Sequence, residues 1–317
     1  MSKYAHEPLS FEGLKTVPIQ ARGGKVRLEH FGTPYSGGGV AALLDSLPHI
    51  LAADSLRAIV ERILEARARK KMILWGLGGH VVKCGLAPIL IDLMRRGAVT
   101  GFAMNGAAAI HDFEIAIAGH TSEDVEAVLP DGSFGAAEET GREMNAALNS
   151  PGNCSAGLGE SLGRHLESMC APHRARSLVY EAYRDSTPVT VHVAIGTDTP
   201  HTHPSADGAA IGRATHHDFR LLCSLVKELD NGGVYLNAGS AVVLPEVFLK
   251  SVSVVRNLGH PLANFTTVNF DFLQHYRPRV NVVERPHARA GGQGYSITGH
   301  HEIMIPLLAA ALIERMA

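Results

Sequence analysis

A chain of 317 residues with 45% hydrophobic and 19% charged residues has enough apolar material for a large core. A net charge of -2 gives no reason to expect a nucleic acid or an anionic membrane as partner. No apolar run approaches the roughly 18 residues of a membrane span, and the opening MSKYAHEPLSFEG lacks the apolar centre of a signal peptide.

Residues 1–50 read as an irregular N-terminal arm, with short edge strands between Val17 and His30 and a glycine loop at Gly37–Gly39. Residues 51–317 read as a single α/β domain. A helix is expected from Ser55 to Lys70, capped by Asp54 or Ser55, with Leu56, Ile59, Val60 and Ile63 on one face. The stretch Lys71–Glu114 then runs strand, turn, helix, strand, turn, helix. Met72–Trp75 stops at Gly76, Gly78 and Gly79; one helix is expected over Val81–Arg96; Ala98–Met104 stops at Asn105 and Gly106.

Residues 119–165 are rich in Gly, Ser, Asn and Glu. They read as an excursion with a helix near Ala136–Leu148, serving either as a lid or as a solvated surface insertion. The βα rhythm resumes with a helix at Ser177–Arg184 and a strand at Val189–Ile195, followed by the loop Gly196–Pro204. Later strands are expected at Val234–Asn237, Phe265–Asn269 and Tyr295–Thr298, and helices at Asp218–Leu229, Val242–Asn257 and Ile303–Met316. Strands alternating with helices imply a Rossmann-like three-layer sandwich with a mostly parallel sheet of six or more strands.

In such a sheet the turns GLGGH, MNGAAAIHD, GTDTPHTHP, NAGS, NFD and TGHHE lie along one edge. Glycines there let backbone N–H groups approach a ligand, and a helix N-terminus favours an anion. A dinucleotide or another phosphate compound is the natural guest, although no turn carries a full GxGxxG. The densest chemical cluster is Asn105, His111, Asp112 and Glu114. His111 could move a proton, and the acids could orient it or hold an amine; alternatively Asp112 and Glu114 merely complement the helix dipole.

His201 and His203, with His216 and His217 nearby, have the residue type of a metal site. No acidic or cysteine partner stands at a diagnostic spacing, so no metal ligand is assigned. The cysteines Cys84, Cys154, Cys170 and Cys223 have no CxxC spacing and suit free thiols in a reducing, cytoplasmic setting.

The order GLGGHVVKCGL, MNGAAAIHDFE, VTVHVAIGTDTP, YLNAGSAVV and ITGHHEIMIPLLAAAL resembles the deoxyhypusine synthase-like superfamily over roughly residues 55–317. The resemblance implies NAD as cofactor and a homotetramer built from dimers. It places cofactor contacts at Gly78, Gly79, His80, Asn105, Gly106, Asp198, Gly239, Ser240, Asn269, Asp271, His300 and His301. One departure argues against the synthase reaction, which proceeds through an imine on a C-terminal lysine. No lysine follows Lys250 here, and Arg285–Gly294 stands before the last strand.

NGAAAIHDFE (Asn105–Glu114) is closer in wording to the ornithine cyclodeaminase domain of archaeal and cyanobacterial bifunctional enzymes. Their turn reads Asn-Ala-x-Ala-x-His-Asp-Ile-Glu, from which Gly106 and Phe113 depart. This resemblance implies transient oxidation of a small amine or amino acid by NAD, with His111, Asp112 and Glu114 as catalytic residues. Two other readings stay open: a metal-dependent lyase or hydrolase using His201 and His203, and a non-catalytic NAD-binding scaffold.

Overall fold

A computed structural model describes residues 3–150 and 155–316. Six strands form one sheet: β1 (Ile73–Leu77), β2 (Gly101–Asn105), β3 (Val189–His192), β4 (Val234–Ala238), β5 (Thr266–Asp271) and β6 (Gln293–Thr298). Their order is β3-β2-β1-β4-β5-β6 and every pairing is parallel. The chain therefore builds outward from β1 to β3, returns, and builds outward again from β4. The reversal falls between β1 and β4, where doubly wound folds bind ligands.

Alternation along the strands sorts the core into two layers. Ile73, Trp75 and Leu77 of β1 pack with Phe102 and Met104 of β2 against the helices Leu51–Ala68, Ala87–Arg95, Gly106–Ala118 and His301–Met316. Leu74, Ala103 and Tyr235 point the other way, toward Leu222, Val226, Phe248 and Val252 on the helices Gly208–Lys227 and Val243–Asn257. The Tyr235 and Phe248 rings stack at 3.8 Å. Gly76 makes room for that pair, because a Cβ there would lie 2.5 Å from the Tyr235 hydroxyl.

Several sequence expectations need correction. No strand forms between Val17 and His30; the described arm holds the 3-10 turns Ile19–Ala21 and Leu28–His30 and, against the expected irregular chain, the helix Gly39–Ser46. The first long helix starts at Leu51 on Ile50, and Asp54 lies in its first turn, bonded to Arg57. The helix expected over Val81–Arg96 is two, Gly79–Lys83 and Ala87–Arg95, because Gly85 turns to φ +75° between them. The helix expected from Asp218 begins ten residues earlier, at Gly208, where Asp207 accepts a hydrogen bond from Ala209 N. The end of the 119–165 region is built into the core, where the helix Leu158–Ser168 buries Leu158, Leu162 and Leu166. Cys154 lies outside the described residues.

Candidate active site

Asn105 ends β2 and its side chain accepts a hydrogen bond from Ala108 N at 2.9 Å, starting the helix Gly106–Ala118. This helix therefore begins at the C-terminal edge of the sheet. One of its faces borders a cleft of about 890 Å³ shared with residues of the 119–150 segment and the loop after β3. His111, Glu114, Thr121, Thr140, Asp198 and Lys83 all line it.

His111 and Glu114 stand one turn apart and share a face of the helix. The hydroxyl of Thr121 donates a very short hydrogen bond to Glu114 Oε2, and Thr140 donates to Oε1 at 3.1 Å. His111 Nδ1 lies 2.7 Å from the same Thr121 oxygen. Thr121 spends its proton on Glu114, so its oxygen accepts and His111 Nδ1 must donate. That fixes the tautomer: the lone pair sits on Nε2. Burial would raise the Glu114 carboxyl, but bonds from His111, Thr121 and Thr140 outweigh it and leave it below the usual range. Thr121 and Thr140 carry no motif, and sequence reasoning missed both.

Asp112 faces elsewhere. Successive helical residues project about 100° apart, so it cannot share the His111 face. Its carboxylate is fully buried and accepts from Ser177 Oγ at 2.5 Å, Leu178 N at 2.7 Å and Val179 N at 3.0 Å. Asp112 is thus the anion at the N-terminus of the helix Leu178–Arg184. Burial raises its carboxyl to about 6, against the opposing pull of those three donors. Asp218 plays a similar part. It accepts from Gly159 N and Val191 N at 3.0 and 2.8 Å, joining the helix Leu158–Ser168 to edge strand β3, and burial raises it to about 7.

The residues expected to touch a cofactor divide into groups. At the reversal between β1 and β4 the two glycine turns meet: Gly78 N donates to Ala238 O at 2.9 Å, and a Cβ on Gly78 would lie 1.9 Å from the Gly239 carbonyl oxygen. Gly79 packs against Ala107 and His111. Beyond Gly106, whose Cβ position is filled by the Asp198 carboxylate, burial raises the Asp198 carboxyl.

Ser240 is instead a cap, accepting from Leu244 N at 3.2 Å. Asn269 lies inside β5 rather than in a turn. It accepts from Asn237 at 2.7 Å and donates to Gln274 at 2.8 Å. Asp271 ends the same strand, 3.8 Å from His301 Nε2. His301 is buried with neither ring nitrogen bonded, and Asn237 Oδ1 is likewise unpartnered. His80 and His300 are exposed and both lie against Phe272.

The histidines after β3 do not converge. His203 bonds Ser205 and Glu138, at 2.7 and 3.1 Å. His201 is half-buried beside Asp198, and His216 and His217 lie on the helix Gly208–Lys227. No helix among the described residues is long and apolar enough to cross a membrane.

No protein-family profile matches the chain, and no curated protein resembles it in sequence. Its fold is shared by solved structures. Unliganded AgrE superposes with a TM-score of 0.55 at 16% identity, covering 82% of this chain and 32% of AgrE. A conserved candidate LOR/SDH protein from Methanococcus maripaludis S2 gives 0.53 at 15% identity, over 84% of this chain and 71% of the other. A candidate deoxyhypusine synthase from Entamoeba histolytica gives 0.51 at 12% identity, over 88% and 94%. AgrE has also been solved in a ternary complex with ornithine and NAD+, which matches at 0.53 and 13% identity. The chain shares its fold with these structures. This chain spans about a third of the length of AgrE.

Proposed function

We propose that the protein is an NAD-dependent enzyme that removes a hydride from a small amine or amino acid and returns it, in the manner of a deaminase or cyclodeaminase. The observation that carries this reading is the cleft at the C-terminal edge of the sheet, with His111, Thr121 and Glu114 linked on its wall. The AgrE complex with ornithine and NAD+ supports it as a precedent on the same fold.

The turn residues suit a dinucleotide. The Gly78–Gly239 contact tolerates no side chain, and Asn237 Oδ1 is a buried acceptor without a partner beneath it. Gly78, Gly79 and Gly239 would hold the cofactor by backbone, with Asp198 and His300 to either side. Bound there, NAD supplies a hydride acceptor. The chain's own residues do the rest. Glu114, kept ionised by His111 and its two threonines, gives the cleft a negative charge for a substrate ammonium, which would be costly to bury unpaired. Lys83, also on the lining, offers a cation for a substrate carboxylate. His111 Nε2 takes the proton released as the amine carbon is oxidised and gives it back, while Thr121 fixes the ring. Asp112 acts at a distance, by setting the helix Leu178–Arg184 against the helix that carries His111. No C-terminal lysine is needed, because no imine with the enzyme is formed.

We further propose a homotetramer. The resemblance carries this reading, and the arm leaves Leu9, Phe11 and Leu14 71–84% exposed, apolar side chains that a second copy would cover. Sedimentation at micromolar concentration tests it, and a monomer there excludes it.

Isotope exchange between a labelled amine and NAD tests the chemistry, with small amino acids and polyamines screened first. His111→Ala should lose about 10²- to 10⁴-fold in exchange rate while keeping NAD affinity. Equal rates for His111→Ala, Glu114→Gln and wild type would remove the cleft from the reaction.

A further inference from the structure

A second cluster of chemically capable side chains lies outside the cleft. His80 and Cys84 are four residues apart around the helix Gly79–Lys83, and Glu302 opens the helix His301–Met316. His80 Nε2 lies 3.3 Å from Cys84 Sγ, and Cys84 Sγ lies 3.7 Å from Glu302 Oε2. The three ligand atoms all fall within 4.8 Å of one another. Among the described residues this is the one such group of histidine, cysteine and acid side chains.

These separations have a definite meaning. Zinc holds thiolate sulfur at about 2.3 Å and imidazole nitrogen or carboxylate oxygen at about 2.0–2.2 Å. At a tetrahedral angle, such bonds place sulfur roughly 3.5 Å from the nitrogen or oxygen. The observed 3.3 and 3.7 Å bracket that value, so one ion could reach all three atoms with small side-chain adjustments. One nitrogen, one sulfur and one oxygen form a donor set suited to zinc and its neighbours rather than to magnesium or calcium.

The surroundings point the same way. The His80 ring is flanked by Phe272 and by His301, at centroid distances of 6.0 and 5.8 Å. His301 is 1% exposed, and neither ring nitrogen makes a hydrogen bond, with Asp271 3.8 Å from Nε2. A water carried on the open fourth position of the metal is the kind of partner this ring lacks. His80 and Glu302 are exposed, so that position opens to solvent. We propose that His80, Cys84 and Glu302 bind a divalent transition metal of the zinc class, with one coordination position left open. The site clips the segment after β1 to the segment after β6. It assigns His80 to a metal rather than to the dinucleotide, and it stands whether or not the cleft acts on amines.

The test uses the full chain, purified without an affinity tag and titrated with Co²⁺ and then Zn²⁺. One equivalent of Co²⁺ should bind with a thiolate-to-metal charge-transfer band, and Zn²⁺ should displace it. Cys84→Ser should abolish the band, while Cys170→Ser and Cys223→Ser keep it. Glu302→Gln, a surface change, should keep the fold and weaken Co²⁺ by more than about tenfold, since even outer-shell partners are worth about 10- to 100-fold. Circular dichroism of each variant separates lost binding from lost fold. The proposal is overturned if the wild-type chain shows no stoichiometric band, or if folded Cys84→Ser or Glu302→Gln binds Co²⁺ like the wild type.

Discussion

Replacing Asp112 by alanine would take the acceptor from three buried donors at once. Ser177 Oγ can turn toward another partner, and it already accepts from Tyr180 N at 3.0 Å. Leu178 N and Val179 N cannot turn, because their directions are fixed by the first turn of the helix Leu178–Arg184. Leaving a buried donor unsatisfied costs roughly 1–3 kcal/mol, so the two amides together cost roughly 2–6 kcal/mol. Removing the charge from the helix N-terminus adds to this, and release of a desolvated carboxylate subtracts from it. A net loss of about 2–4 kcal/mol follows. Asp112→Asn should fall between the two, since one amide oxygen still accepts while the new NH2 faces a donor. Urea unfolding followed by circular dichroism reads the loss, and NAD titration of the folded fraction should show little change. The reasoning fails if Asp112→Ala unfolds at the wild-type urea concentration yet loses exchange activity. The carboxylate would then belong to the chemistry and not to the fold.

Other outcomes follow from neighbouring observations. Burial holds the Asp218 proton up to about 7 in the folded state against an ordinary 3.8, so folding favours the protonated form. Its ionisation therefore weakens the fold as pH rises from about 4 to 7, and Asp218→Asn should gain on the wild type across that window in unfolding experiments. Gly78→Ala would drive a methyl group into the Gly239 carbonyl and should destabilise the chain and abolish NAD-dependent thermal stabilisation together. Thr121→Val keeps the shape of the cleft wall but breaks the link between His111 and Glu114. On the proposed mechanism its exchange rate should drop while substrate binding, there assigned to Glu114, changes less; an unchanged rate would separate His111 from Glu114.

Much of the sheet could be read from residues alone because β1, β2 and β4 are short apolar runs that stop at Gly78, Asn105 and Gly239. Ile73–Leu77 and Val234–Ala238 are buried along their whole length, as a central parallel strand requires. Helix starts were harder. Residues 208–217 hide a helical face behind glycine, alanine and histidine, so its first turns passed for loop. At the site, His111, Asp112 and Glu114 are legible as one cluster of chemistry-bearing residues. The sequence does not separate Asp112 from the other two, because its partners sit at residues 177–179 and only the folded chain brings them together. The His80, Cys84 and Glu302 cluster was beyond sequence for a similar reason, since its members are separated by up to 222 residues in the chain.

The reversal between β1 and β4 also bears on how the chain is made. β1 pairs with β2 on one side and waits for β4 on the other, yet β4 begins at Val234, long after β1 ends at Leu77. During synthesis from the N-terminus the partner of ILWGL is therefore still untranslated when the first three strands are complete. That edge is apolar and unguarded by charge, the kind that recruits a neighbouring chain. A nascent chain arrested after Lys227 would carry β1 to β3 with its inner edge bare, and should need a chaperone until residues 234–238 emerge to close it.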